Sequence, residues 1–310
     1  MRPSLRDWLM LATLGLIWGG AFMATKLAAV AVTPVSLAAV RLVIGAAALL
    51  AIMRLRGDRM PGFASAQERQ FWVAAACVSV LANALPFTAL SWAQQHIDSG
   101  LAGVLTTAVP FFLLPLAHVF VPGERMTWRR TFGFLVGFSG VCVLVAPEAL
   151  ASLSGAGEGV FLPAALACLL AAFGYASGSV VAKLAPQFGL LPFAGAALSI
   201  AAVLTVPMAL AIEDPLSIRP GATAMAAVLY LALVPTALAN VMLLEVIRSA
   251  GPGFLSNVNY QIPLWAVGLG ALALGEKPST DLWLALALVL AGLAIAQVRI
   301  GLRRGGHPRA

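Results

Sequence analysis

Residues 253–280 read GFLSNVNYQIPLWAVGLGALALGEKPST, and residues 100–127 read GLAGVLTTAVPFFLLPLAHVFVPGERMT. Each is an apolar run long enough to cross a bilayer, broken by a proline near its middle and closed by a Gly-Glu pair. Pro110, Gly123-Glu124, Thr127 and Gly140 in the first copy match Pro263, Gly275-Glu276, Ser279 and Gly292 in the second. The offset is 153 at the prolines and 152 from the Gly-Glu pair onward. Five positions in order at a nearly constant offset mark an internal duplication.

The rest of the chain has the same character. Of its 310 residues, 61% are hydrophobic and 10% charged, and the mean hydropathy is +0.96. A soluble domain carries roughly a quarter charged residues because its surface faces water, so the composition excludes one. A helix needs ~20 apolar residues to cross ~30 Å of hydrocarbon. Runs of about this length lie at 8–29, 34–53, 71–93, 99–121, 131–147, 161–183, 192–211, 222–247, 252–274 and 281–299. The expected fold is therefore an all-α polytopic membrane protein with ten transmembrane helices. The first run is too long for the apolar region of a signal peptide and reads as an uncleaved span.

Charge gives the orientation. Arg2, Arg6, Arg54, Arg56, Arg59, Arg69, Arg125, Arg129, Arg130, Lys183, Arg248, Arg299, Arg303, Arg304 and Arg309 fall on one side, fifteen of nineteen basic residues. Lys26, Arg219 and Lys277 fall on the other, and Arg41 lies within the second span. A Lys/Arg excess marks cytoplasmic loops, so both termini are expected inside a bacterial-type inner membrane. The net charge of +7 has this origin, and no basic stripe with interleaved aromatics points to nucleic acid.

Each half holds five spans, an odd number, so the second half must enter the membrane inverted. The expected division is a first five-helix repeat at 1–147, a periplasmic linker at 148–160 that includes GAGEG, and a second repeat with a cytoplasmic tail at 161–310. Two inverted repeats around a central cavity are characteristic of secondary transporters, with the substrate held near the midplane.

Trp18-Gly19-Gly20 with Phe22 in the first span, Arg41 in the second, and the two Pro…Gly-Glu…Gly blocks resemble the EamA family of the drug/metabolite transporter superfamily. Within it, the chain is most similar to aromatic amino-acid exporters of the YddG type. The resemblance covers nearly the whole chain, as two tandem copies. It implies a ten-helix inner-membrane carrier with cytoplasmic termini, a central cavity and a small-molecule substrate. The chain departs from the pattern in two places. Its seventh span has no arginine matching Arg41, and its sixth reads Phe173-Gly174-Tyr175 where a tryptophan is usual.

Candidate recognition residues are the polar ones inside apolar spans. The ninth span carries Asn257, Asn259, Tyr260 and Gln261 just before Pro263, the densest such cluster. Asn257, Tyr260 and Gln261 share a helix face by i, i+3, i+4 spacing. That face suits a cavity, or hydrogen-bonding glue between helices. The aligned residues of the fourth span are Val104, Thr106, Thr107 and Ala108, so the second half is expected to supply most of the hydrogen bonds. Pro110 and Pro263 free the carbonyls of Thr106 and Asn259 and are expected to form a matched pair of hinges.

Arg41, about eight residues into its span, costs at least ~2.5 kcal/mol to insert. It is either a functional cation or a side chain reaching the outer interface. Trp18, Tyr175 and Asn83 complete the expected substrate-binding set, with Asn240, Ser177, Trp92 and Trp265 as further neutral or aromatic groups. Lys26 and Lys183 at span ends read as interfacial anchors. The G-x-x-x-G pairs Gly15/Gly19, Gly133/Gly137 and Gly174/Gly178 read as close helix crossings.

No Asp or Glu sits centrally in any span; Glu124 and Glu276 end the fourth and ninth, and Glu245 lies beside Arg248 near the end of the eighth. A carrier of cationic drugs is expected to hold a buried carboxylate, and one for phosphorylated sugars several central cations. Neutral hydrogen-bonding groups and aromatics instead suit export of a neutral, bulky or aromatic amino acid, or a similar metabolite. A proton-coupled multidrug or cation exporter is the alternative, and a scaffold or intramembrane enzyme a remote one. Gly137-Phe138-Ser139-Gly140 matches the G-x-S-G of rhomboid-type proteases, but such a serine needs a base, and the only later histidine is His307 in the tail. Cys77, Cys142 and Cys168 stand in apolar runs without C-x-x-C, and H-E-x-x-H does not occur, so neither metal nor cofactor is expected.

Overall fold

The computed structural model describes residues 3–153 and 159–297. Its helices are α1 (Leu5–Ala29), α2 (Pro34–Leu55), α3 (Ala66–Ala93), α4 (Ser99–Phe120), α5 (Trp128–Leu153), α6 (Phe161–Leu184), α7 (Leu190–Ile212) and α8 (Ala222–Ala250). They continue with α9, in two pieces (Pro252–Leu255 and Val258–Leu274), and α10 (Thr280–Gln297). Among the described residues every regular element is helical, and α1 to α8 are each long and apolar enough to cross a membrane. The ten runs picked out by hydropathy are these ten helices. α1 and α3 begin earlier than apolarity alone predicts because Ser4 with Asp7, and Ser65 with Glu68, form reciprocal capping boxes. Residues 154–158 of the expected linker, positions 298–299 of the tenth run, and Arg2, Arg299, Arg303, Arg304 and Arg309 lie outside the described residues.

The two halves interlock. α1 packs on α8 and α9, and α6, its counterpart, packs on α3 and α4. α2 pairs with α7, and α5 with α10. Each pairing joins one half to the other, as an inverted repeat about a pseudo-two-fold axis requires. The three glycine pairs lie at such crossings. Gly19 faces the Ile262 carbonyl of α9, Gly133 the Gly292 carbonyl of α10, and Gly174 the Leu81 carbonyl of α3. In lipid no hydrophobic force drives helices together, so this backbone proximity supplies the dispersion contacts that do.

The duplicated Gly-Glu pairs have a structural reason. Gly123 and Gly275 both have positive φ, 85° and 70°, and turn the chain just past α4 and α9. Glycine adopts a positive φ without strain, and Gly275 is itself the left-handed cap of α9. The glutamates that follow sit at opposite ends of the bundle. At the end carrying the N-terminus, Glu124 is held by Lys183 at 2.8 Å and Arg130 at 3.1 Å. Arg56–Glu245 and Asp7–Ser249 contacts join the halves there as well. At the far end, Glu276 accepts from the Ser99 and Gly100 N–H groups at the start of α4, at 2.7 and 3.0 Å. Lys26 is tied in at that far end, donating to the Ile97 carbonyl at 2.8 Å.

α3 and α8 each contain a stretch of wide π-helical turns, Val80–Ala84 and Ala232–Leu238. Their starts are separated by the duplication's own offset, although the residues share no pattern. Pro235 cannot donate to the Leu231 carbonyl, and the Thr236 hydroxyl does so instead at 2.7 Å. Asn83 likewise donates to the carbonyl of Val78, five residues back, at 3.1 Å. Such turns recur at functional sites.

The expected hinges differ from one another. α4 is interrupted at Thr107 and Ala108, with Pro110 in the first turn of its second piece. α9 is interrupted at Ser256 and Asn257, while Pro263 lies inside the continuous Val258–Leu274 segment. Ser256 and Asn257 make this break themselves. Their side chains donate to the Gly253 and Phe254 carbonyls, in competition with the backbone ladder.

Candidate functional site

A cavity of about 570 Å³ lies between the halves. Thr25, Arg41, Asn83, Gln94, Thr106 and Thr107 line it from the first half, and Tyr175, Ser179, Asn240 and Asn259 from the second. Trp18, Phe22, Phe87, Phe193, Leu198 and Ile262 contribute to its apolar walls. α5 and α10 contribute nothing among the described residues; they brace the outside.

Of the ten expected substrate-binding and hinge residues the cavity gathers six, Trp18, Arg41, Asn83, Pro110, Tyr175 and Asn259, and it also takes in Asn240. Asn257, Tyr260, Gln261 and Pro263 are not on its lining. Asn257 is used in the turn that divides α9. Tyr260 packs against the core that contains Phe22 and Leu105, and Gln261 lies against Gly15 in the α1–α9 crossing. The ninth span was expected to dominate the hydrogen bonding. Instead most polar lining groups come from the first half, because α9 turns the rest of its cluster toward α1 and its own backbone.

Arg41 faces the cavity and does not reach for the outer interface. Its guanidinium lies over the Phe87 ring, 3.7 Å from the centroid, and its Nε donates to Thr236 Oγ1 at 2.8 Å. Gly45, one turn along α2, permits this approach. A Cβ there would stand 2.6 Å from Thr236 Cγ2. The π-helical stretch of α8 thus supplies the acceptor that orients the arginine. Arg41 is the only formally charged side chain on the lining among the described residues.

Gln94 was missed by sequence reasoning. It lies just past α3 beside Gln95 and His96, a polar run that reads as interfacial. It is nevertheless 1% exposed, and neither atom of its carboxamide has a hydrogen-bond partner among the described residues. A buried polar group left in this way costs ~1–3 kcal/mol until a ligand, water or another conformation pairs it. Thr25, Thr106, Thr107 and Ser179 were missed for a different reason. Each donates its hydroxyl proton to the carbonyl four residues back, and so offers only lone pairs to the cavity.

The two ends of the cavity are unlike. Near Ala182 and Leu190, at the N-terminal end of the bundle, it approaches the surface, and Leu190 is 39% exposed. Thr25 and Gln94 at the far end are 5% and 1% exposed. Beyond them, two carboxylates clamp the halves. Glu276 caps α4 as described, and Glu213 caps α2 by accepting from the Val35 and Ser36 N–H groups and from the Ser36 and Thr33 hydroxyls. Burial raises the Glu213 pKa, but these hydrogen bonds outweigh it and hold the carboxyl below its ordinary value. Asp98, next to the Glu276 clamp, is raised by burial and by the Glu276 charge against the opposing pull of Lys26.

Two interlocking five-helix sets, a cavity between them and a clamp at one end are the parts of a carrier. The model of the EamA-like transporter family matches this chain twice, over residues 7–146 and 162–297. The chain belongs to that family. It is a multi-pass membrane transporter, and the two matches correspond to α1–α5 and α6–α10. The relatives it is similar to include the uncharacterized inner membrane transporter YedA of Escherichia coli K12. That protein is 28% identical over 294 residues, covering 94% of this chain and 90% of YedA. Another is the probable terminal-alkyne amino-acid exporter of Streptantibioticus cattleyicolor, 27% identical over 304 residues, covering 98% and 95%. A solved crystal structure 24% identical to this chain shares the fold, with a TM-score of 0.65 over 94% of this chain and 96% of the other.

Proposed function

We propose that this transporter exports neutral amino acids with bulky apolar or aromatic side chains, or similar small metabolites, by alternating access, and that it is not an enzyme. The observation that carries this reading is the cavity itself. Its volume of about 570 Å³ lies in the range of ligand sites that enclose a small molecule. Its walls are mainly apolar and aromatic, its hydrogen-bonding groups are neutral apart from Arg41, and no carboxylate is among its lining residues. A cationic drug would find no counter-charge there. The similarity to a probable amino-acid exporter in Streptantibioticus cattleyicolor supports the same substrate class.

The basic-residue bias supports cytoplasmic termini in a bacterial inner membrane. The halves 1–147 and 161–310 are then joined through a periplasmic 148–160 linker, and the open end of the cavity faces the cytoplasm, where an exporter loads. Reporter fusions at Arg56, Arg129 and the C-terminal tail are expected to read cytoplasmic, and fusions at Gly155 and Pro278 periplasmic. A cytoplasmic signal at Gly155 would break this orientation.

Substrate class is tested with purified protein in liposomes and a radiolabelled panel. Saturable flux of phenylalanine or leucine, well above that of quaternary cations, is expected. Greater saturable flux of a cation would favour a cation exporter. Within the panel, Asn259→Ala is expected to raise KM by ~2- to 13-fold, the worth of one buried neutral hydrogen bond. Gln261→Ala, which empties the space against Gly15, is expected to lower thermal stability with KM unchanged. A KM rise in Gln261→Ala and none in Asn259→Ala would reverse that assignment.

A further inference from the structure

Arg41 is a charge without a counter-charge. Among the described residues no carboxylate lies in ion-pair contact with it, and Nε is the one nitrogen with a protein acceptor, Thr236 Oγ1. One face of the guanidinium is covered by Phe87 at 3.7 Å. What stays open is the fork of terminal N–H groups, on a residue that lines the cavity. An ionised group held between membrane helices without a partner is costly, and a guanidinium fork matches a carboxylate with two parallel hydrogen bonds. The partner has to come from the cavity.

The hydroxyls of the lining make the site asymmetric. Thr25, Thr106, Thr107 and Ser179 offer lone pairs only. They can solvate an ammonium, but they do not require one. Nothing charged is stranded when an amine is missing from the ligand, whereas a missing carboxylate leaves Arg41 unpaired.

We propose that Arg41 is the carboxylate anchor of this cavity, and that the site selects ligands by the acid and tolerates loss of the amine. Apolar-bodied monocarboxylates without an amino group are then ligands alongside the amino acids. The proposal deepens the amino-acid reading above and rests on it for the apolar body of the ligand. Thr236 and Gly45 are positioning residues, the first holding Nε and the second letting α2 approach closely enough for that contact.

The test uses the whole protein in lipid nanodiscs and four probes of one shape: phenylalanine, 3-phenylpropanoate, phenylalaninamide and phenethylamine. Binding is read by calorimetry and by ligand-induced thermal stabilisation. Phenylalanine and 3-phenylpropanoate are expected to bind within ~10-fold of each other, because the ammonium that separates them exchanges water for hydroxyl lone pairs and meets no counter-charge on the lining. The two probes without a carboxylate are expected to bind at least ~10-fold more weakly than phenylalanine, since a charged hydrogen bond is lost. Arg41→Gln is expected to erase the difference between acid and amide. Arg41→Lys keeps the charge without the fork and is expected to restore part of it. Thr236→Val is expected to weaken the acids more than the amide, a selectivity that loss of packing alone would not produce. Should Arg41→Gln fail to fold, the wild-type comparison decides alone.

Equal binding of phenylalanine and phenylalaninamide overturns the anchor and leaves the amino-acid reading standing. Binding of 3-phenylpropanoate without phenylalanine keeps the anchor and removes the amino-acid reading. No binding by any of the four overturns both.

Discussion

With Glu213→Gln and Glu276→Gln combined, a cysteine at Thr25 is expected to react with a membrane-impermeant maleimide from the side opposite the N-terminus at least ~10-fold faster than in the parent. The parent carries the same Thr25→Cys change with Cys77, Cys142 and Cys168 replaced by alanine. Thr25 is 5% exposed at the closed end of the cavity, behind the two clamps. Each clamp places a carboxylate from the second half on the N-terminus of a helix of the first, Glu213 on α2 and Glu276 on α4. Helix N-termini favour negative charge, and a hydrogen bond to a charged group contributes ~1.5–3 kcal/mol. Glutamine keeps the shape, loses the charge and turns donors toward donors. At the other end Arg56–Glu245 and Lys183–Glu124 have side chains that are a third to half exposed, and pairs of that kind contribute little, which leaves the single Asp7–Ser249 hydrogen bond there against two clamps. Removing the clamps therefore tilts the carrier toward opening at the far end.

Acid should act in the same direction. Glu213 is held below its ordinary pKa in the closed state, so its contribution is present above the usual carboxylate range and is lost as pH falls through the depressed value. Reactivity at Thr25→Cys, taken relative to a free thiol at the same pH because acid depletes every thiolate, that is indifferent both to the double substitution and to acid would remove the clamps from the closing of this end.

The position of every helix was legible because a bilayer demands an uninterrupted apolar run, and Arg41 and Asn83 stood out because a polar side chain in such a run needs a reason. Which face of each helix looks inward was not legible. In lipid the packed and the exposed faces are both apolar. On α1, Leu14 is fully buried while Leu16 is 39% exposed, and nothing in their chemistry distinguishes them. The lining threonines hid because each satisfies its own hydroxyl on its own helix, which makes them unremarkable in a span. Gln94 hid at a span end, where a polar residue is ordinary. The ninth-span cluster shows the converse, a density of polar residues that does not reveal where each side chain goes. Four polar residues together looked like a site, but Asn257 and Ser256 spend their side chains on a local turn, and only Asn259 turns to the cavity. The paired π-helical turns of α3 and α8 were invisible because the duplication preserved a backbone distortion and not the residues that make it.

Gly292→Ala is expected to lower the yield of folded protein and its thermal midpoint sharply, while the protein that does fold binds substrate with unchanged affinity. A Cβ at Gly292 would lie 2.5 Å from the Gly133 carbonyl oxygen, 2.5 Å from the Gly137 nitrogen and 2.6 Å from the Gly137 Cα. All three are backbone atoms of α5, so no side-chain rotation relieves the contact and the two helices must move apart. Overpacking of this kind costs ~1–3 kcal/mol, and the separation also loosens the dispersion contacts that hold helices together in lipid. Gly140, the counterpart of Gly292 in the first repeat, meets the Ala285 carbonyl of α10 in the same joint, with 2.7 Å available to a Cβ. The duplicated glycine is thus kept because both copies serve one crossing, each from its own half. Gly268→Ala is the matched control. A Cβ there has nothing within 4 Å, and alanine in a helix interior is favoured over glycine by ~1 kcal/mol, so that variant should be neutral or slightly stabilised. Neither α5 nor α10 lines the cavity among the described residues, which is why recognition should survive in whatever fraction of Gly292→Ala folds. A weakened substrate affinity in well-folded Gly292→Ala would mean that the α5–α10 joint bears on the cavity's shape as well as on its support.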